Sequence, residues 1–173
     1  MIAAALAQRG YRLITDDVCA ITLTADGVPI VHPDGRQLKL WAQAIEKLEL
    51  EGVRGGRVRG SLEKFYVEPR EATTEALPLG AVHAPHETSH RDDPGIERPN
   101  VVDAALVLRS NAYRPLLVAR LEQEQHYLHA AAQISNKSGI FLLKQPLDFA
   151  AMPNVVSWRE RHWRDIGVTE NAT

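Results

Sequence analysis

Alanines with Ile2 and Leu6 fill positions 2–7 of IAAALAQR, Gln8 and Arg9 complete it, and a glycine follows. Alanine and leucine are strong helix formers, and glycine tolerates the left-handed conformation that closes a helix, so the pattern predicts a helix ending at Gly10. The apolar run YRLIT after it has the length of a buried strand. VCAITLT and VPIVH flank the turn residues ADG, which predicts a β-hairpin from Val18 to His32. Pro33 to Arg36 turns the chain. LKLW is then a brief extended piece, and AQAIEKLEL has helical spacing with Trp41, Ile45 and Leu48 on one face. Residues 52–60, GVRGGRVRG, offer almost nothing to bury and are read as a loop. SLEKFYVE and LPLGAVHA are read as strands, with Pro78 placing the second near a sheet edge or at its own start.

The pattern changes twice more. Residues 85–100, PHETSHRDDPGIERPN, carry three prolines and no periodic apolar spacing, so a mobile loop is expected there, and loops of that length are functional or disordered. From Val101 the spacing is helical: VVDAALVLRSNAY, then PLLVARLEQEQHYLHAAAQI with Pro115 suited to a first turn. GIFLL is a compact strand, and PLDFAAMPNVVSWRERHW a last helix interrupted or started late at Pro153, before a frayed tail, GVTENAT. At 173 residues a single domain, 1–173, is the expectation. Within it, 1–84 would be a helix plus a strand-rich core, 85–100 a loop, and 101–173 mainly helical.

Charge narrows the partners. Twenty Lys plus Arg stand against 22 Asp plus Glu, a net charge of -2, which argues against a general role on nucleic acid or on a membrane surface. The one cysteine, Cys19, lies in an apolar run, is read as packing rather than nucleophile, and cannot form an internal disulfide. The opening residues do not have the pattern of a secretion signal, and no apolar run reaches the roughly 18 residues of a membrane span, so a cytoplasmic protein is expected.

Several groups invite a chemical reading. His83, His86 and His90 cluster with Glu87, Asp92 and Asp93; imidazole and carboxylate can hold zinc, but the spacing is not that of a helix-borne HExxH, and solvated histidines are preferred. His126 and His129 share a helix face and are read as capping or core-edge packing. Arg54, Arg57 and Arg59 in GVRGGRVRG resemble one copy of an arginine-glycine segment, and such segments need multiplicity to bind nucleic acid. The chain has no GxSxG and no GxGxxG, which removes common hydrolase and dinucleotide readings. The adjacent carboxylates Asp16 and Asp17 remain, in LITDDV at the end of an apolar run, where acidic pairs hold magnesium, take a proton, or simply turn the chain.

AAALAQRGYRLITDDVCAI resembles the segment after the phosphate-binding loop in the HPr kinase/phosphorylase family and its related serine kinases. HPDGRQLKLWAQAIEKL, SLEKFYV, LRSNAYRPLL and FLLKQPLDFAAMPNVVSWRERHW are similar to later segments of the same family, in the same order. The resemblance implies a phosphoenolpyruvate-carboxykinase-like α/β nucleotide-binding fold, with a mixed sheet flanked by helices. It implies ATP-dependent phosphorylation of a serine, with ATP and Mg2+ as cofactors and a protein or peptide as phosphoacceptor. By motif position Asp16 is the candidate base and Asp17 the magnesium-side carboxylate. Lys64 and Arg114 are candidates for contacting substrate or phosphate, and each could equally be a surface cation. Relatives are often oligomeric, so a homo-oligomer is among the implied partners.

In that family the first helix follows a strand and a glycine-rich loop whose amides, lysine and hydroxyl hold the triphosphate. Met1 falls about where the residue after the GKS of that loop would stand, and no GxxxxGK[ST] occurs downstream. The expectation is therefore an N-terminally truncated kinase portion that binds ATP poorly by itself, with strand edges left unpaired. The alternative is a non-catalytic remnant or partner-binding module on the same scaffold.

Overall fold

The computed structural model describes residues 1–35, 37–88, 94–146 and 148–168. Of the residues singled out above, Arg36, His90, Asp92, Asp93 and the tail beyond 168 lie outside the described residues. The chain forms α1 (Ile2–Gln8), β1 (Ala20–Leu23), β2 (Pro29–His32), β3 (Leu38–Trp41), α2 (Ala42–Lys47), β4 (Arg54–Arg57), β5 (Lys64–Val67), β6 (Leu77–Pro78), β7 (Val82–Glu87), β8 (Gly95–Glu97), α3 (Val101–Ser110), α4 (Pro115–Arg120), α5 (Glu124–Lys137), β9 (Ile140–Gln145) and α6 (Met152–Asp165). It is a mixed α/β protein with small, mostly antiparallel sheets, ordered β1-β2-β6, β3-β5-β4 and β7-β9-β8. Two compact units divide it, one of residues 1–20 and 32–76, the other of 21–31 and 77–173.

The first unit is built on period-two alternation. β3 and β5 pair antiparallel, with Lys39 opposite Tyr66 and Trp41 opposite Lys64. Leu38, Leu40, Phe65 and Val67 are buried, so they form the core face, and Lys39, Trp41, Lys64 and Tyr66 share the other. α1 turns Ala4, Ala5 and Ala7 inward and is capped at Arg9; Gly10 follows, with a φ of 96° that residues with a side chain rarely adopt. Ile45 of α2 is fully buried.

Three expectations change in this unit. YRLIT is not a full strand: it makes one parallel bridge, Leu13 to Ala72, with the Leu13 amide on the Glu71 carbonyl and the Thr73 amide on the Leu13 carbonyl. Trp41 does not join Ile45 on a helix face; it ends β3 and is 54% exposed. GVRGGRVRG is not only a loop, because Arg54–Arg57 pairs with β5 as an edge strand. Its glycines bury nothing, but the Arg54 guanidinium lies 3.7 Å from the centre of the Phe65 ring, so the arginine covers the edge of the core through a cation–π contact.

In the second unit β1 and β2 form the expected hairpin, closed by hydrogen bonds between Thr24 and Gly27 and between Thr24 and Val28. LPLGAVHA divides into the two-residue β6 and the longer β7. β7 runs on into the segment expected to be a loop and pairs parallel with β9 through Glu87, while β8 pairs antiparallel on the other side. Fully buried Leu143 lies at the centre of this mixed sheet. Helices lie on both of its faces. Ile140 and Val82 pack with Ala104, Val107 and Ile134 of α3 and α5, and Phe141 meets His162 of α6. α6 presents Met152, Val155 and Val156 as its buried stripe, at the spacing of one helical face. Between α5 and β9, Gly139 takes a φ of 82°, and a Cβ there would stand 2.9 Å from the Phe141 ring, so the turn requires glycine.

Candidate functional site

Asp16 and Asp17 occupy a bend in the first unit, closed by the Thr15 hydroxyl donating to the Val18 carbonyl. β3 is the outer strand of its sheet, and the Lys39 amide points outward from it. Asp16 Oδ2 accepts that amide at 3.1 Å, which satisfies an edge donor and fixes the carboxylate. One residue on, Asp17 Oδ2 takes the Lys39 ammonium at 2.6 Å, with the lysine side chain only 13% exposed. A single strand residue thus holds both acids, one through its backbone and one through its side chain.

The electrostatics separate the two carboxylates. Asp16 is half-buried, and its pKa is raised from 3.8, first by loss of water and then by the charge of Asp17; the Lys39 amide and ammonium pull it back only in part. The amino group at the start of α1 feels Asp16 and Lys64 as charges, while burial lowers its pKa more than either charge moves it. The beginning of the first helix therefore lies near Asp16 and Lys64. Lys64 shares the polar face of β3 and β5 with Lys39, so the structure gathers Asp16, Asp17 and Lys64 in one unit.

Arg114 belongs to the other unit. It precedes α4 in a left-handed conformation, φ 51°, with its guanidinium 5.2 Å from the Tyr113 ring centre. Cys19, expected to pack in a strand, is an exposed thiol just before β1. His126 and His129, expected at a core edge, are exposed.

The histidine cluster is rearranged. His83 and His86 point to opposite faces of β7, since they are three residues apart on a strand. His83 instead pairs with His162 of α6, Nε2 to Nδ1 at 3.1 Å, and stacks on Phe141. Burial, then the charges of Arg159 and His162, lower the His83 pKa to about 3. Burial lowers the His162 pKa as well, and no group of three or more His, Cys, Asp or Glu placed to hold a metal exists among the described residues. Sequence reading missed this pair because its members are 79 positions apart and share no local motif.

Lys39 was also missed as part of the site, although LKLW carried a signal: alternation places it opposite Leu38 and Leu40, on a polar strand face. Comparison with protein-family models, with curated proteins and with solved structures finds no match to this chain. The case for a site therefore rests on residue chemistry alone. Two adjacent carboxylates offer the hard oxygen ligands that magnesium takes when it also binds substrate phosphates, so the residues fit that metal. For the triphosphate itself the chain offers the cations Lys39 and Lys64 but no GxxxxGK[ST] loop.

Proposed function

We propose that this chain carries the acidic part of a phosphoryl-transfer site of the ATP-dependent serine kinase type that its sequence resembles, on a phosphoenolpyruvate-carboxykinase-like fold. The observation that carries the reading is that Lys39 holds Asp16 and Asp17 side by side near the start of α1. Asp16 has the properties of a proton acceptor for the hydroxyl of a protein or peptide serine. Its pKa is raised, which strengthens it as a base, and the Lys39 amide orients it. Asp17, more exposed and negatively charged against Lys39, is the magnesium-side carboxylate. Magnesium bound there with ATP supplies charge neutralisation of the phosphate oxygens. Lys64 adds positive charge on the same face.

The metal assignment is tested with manganese as a paramagnetic stand-in, titrated with ATP into the full chain and followed by amide NMR. Broadening should centre on residues 15–18 and 39–40 and weaken at least ~10-fold in metal affinity for Asp17→Asn. Broadening elsewhere, or an unchanged response in Asp17→Asn, would overturn the assignment. In that outcome the alternative of a non-catalytic, partner-binding scaffold becomes the better reading.

A further inference from the structure

A cleft of about 380 Å³ opens in the second unit where the turn after α5 meets the end of α6. That volume lies within the ~300–1,000 Å³ of small-molecule sites. Its polar lining is Arg98, Asn136, Lys137 and Ser138, and Phe141 and Ile166 stand on its apolar side; no Asp or Glu is among its described lining residues. Ser138 is only 9% exposed, yet its Oγ is buried with no hydrogen-bond partner. Buried hydroxyls are nearly always satisfied, so an unsatisfied one demands an explanation, and its place in the wall of a cleft supplies one.

We propose that this cleft binds a small molecule through one carboxylate, with Arg98 and Ser138 as the groups that hold it. Charge sets the count. Lys137 lies in the last turn of α5, where its ammonium answers the carbonyl end of the helix dipole. Arg98, in the segment between β8 and α3, has no such task, which leaves one positive charge over and calls for one negative. Donor geometry selects the anion. Phosphate sites draw on free backbone amides at turns and helix starts, but here the Ser138 and Gly139 amides both donate to the Ile134 carbonyl, and the helix presents its other end. A carboxylate asks for less: the guanidinium fork matches its two oxygens, and the Ser138 hydroxyl, turned by one χ1 rotation, donates a further bond. Phe141 offers the carbon body of the ligand an apolar surface. That wall is held from behind, since Phe141 stacks on His83 and meets His162 edge-on. The proposal is independent of the kinase reading, because it uses none of the residues around Asp16.

Benzoate, phenyl phosphate and benzamide share one ring and differ in the head group, so they serve as probes in amide NMR titrations of the full chain. Benzoate should shift the resonances of residues 98 and 136–141 and saturate with a Kd of ~1 mM or below. Phenyl phosphate should bind at least ~5-fold more weakly and benzamide at least ~10-fold more weakly. Arg98→Gln, at an exposed position, should weaken benzoate at least ~10-fold, and Ser138→Ala at least ~5-fold. Ser138→Ala carries a second readout. It deletes a hydroxyl that has no partner, so the melting temperature of the ligand-free protein should hold or rise; a hydroxyl that serves only the fold would lower it and leave benzoate affinity unchanged. Absence of saturation by about 20 mM benzoate, shifts centred elsewhere, phenyl phosphate or benzamide binding as tightly as benzoate, or an affinity unchanged in either variant would each overturn the proposal.

Discussion

Replacing Asp16 by Asn measures what the carboxylate proposed as the base costs the fold. The pKa of Asp16 is raised by partial burial and by the neighbouring charge of Asp17, so the folded protein binds this proton more tightly than the unfolded chain does. A carboxylate of that kind contributes stability that is fully present below its ordinary value of 3.8 and is lost as pH rises through the raised folded value. Near neutral pH wild-type Asp16 is thus a net cost. Asparagine removes the charge while its amide oxygen can still accept the Lys39 N–H. Because Asp16 is only half-buried, solvent screens much of the effect, and Asp16→Asn should stabilise the first unit by about 0.5–1 kcal/mol at pH 7. For a protein of this length that is about 1–4 °C in melting temperature. Urea or thermal unfolding of both proteins from pH 3 to pH 8 measures it, and the gain should shrink to nothing as pH falls toward 3. Asp17→Asn is the internal control. It removes a charge-assisted bond to a lysine that is 13% exposed, so it should destabilise by about 1–2 kcal/mol. Equal destabilisation by both substitutions, or an Asp16→Asn difference that does not vary with pH, would refute the assignment of Asp16 as a strained carboxylate.

Other consequences follow from packing and from the histidine pair. His83 has its pKa lowered from 6.5 to about 3, so stability should fall as pH drops from 6.5 toward 3, and His83→Gln should flatten that slope in the same unfolding series. Leu143→Ala and Ile45→Ala each empty a site that is 0% exposed and should cost about 2–5 kcal/mol by chemical denaturation, one in each unit. Arg54→Ala should cost about 0.5–1 kcal/mol through the lost contact with Phe65, and Arg54→Lys should restore only part of it.

Elements with a strong local signal were legible in the sequence. The alanine-rich start closed by Gly10, the hairpin around ADG, the late compact strand GIFLL and the last helix opening near Pro153 all form where local chemistry placed them, because each is specified by neighbours within a turn or two. The pairings that depend on distant residues were not. YRLIT has strand composition but finds only Ala72 as a bridge partner, and apolar content cannot reveal whether a partner strand exists. GVRGGRVRG has no side chain to bury, yet edge pairing needs only backbone donors and a neighbour, and β5 supplies both.

The candidate site shows the same division. The acidic pair was visible because two charges interrupt an apolar run, but its setting depends on Lys39, 22 and 23 residues away. Alternation along LKLW determines that Lys39 stands on the face away from the buried leucines, and the outer position of β3 lets its amide donate to Asp16. Both conditions are needed for one residue to hold two carboxylates. If β3 were an inner strand, the Lys39 amide would belong to the sheet ladder and Asp16 would lose the bond that orients it. The position of β3 within its sheet, which no local pattern encodes, is therefore what turns an acidic turn into a paired-carboxylate site.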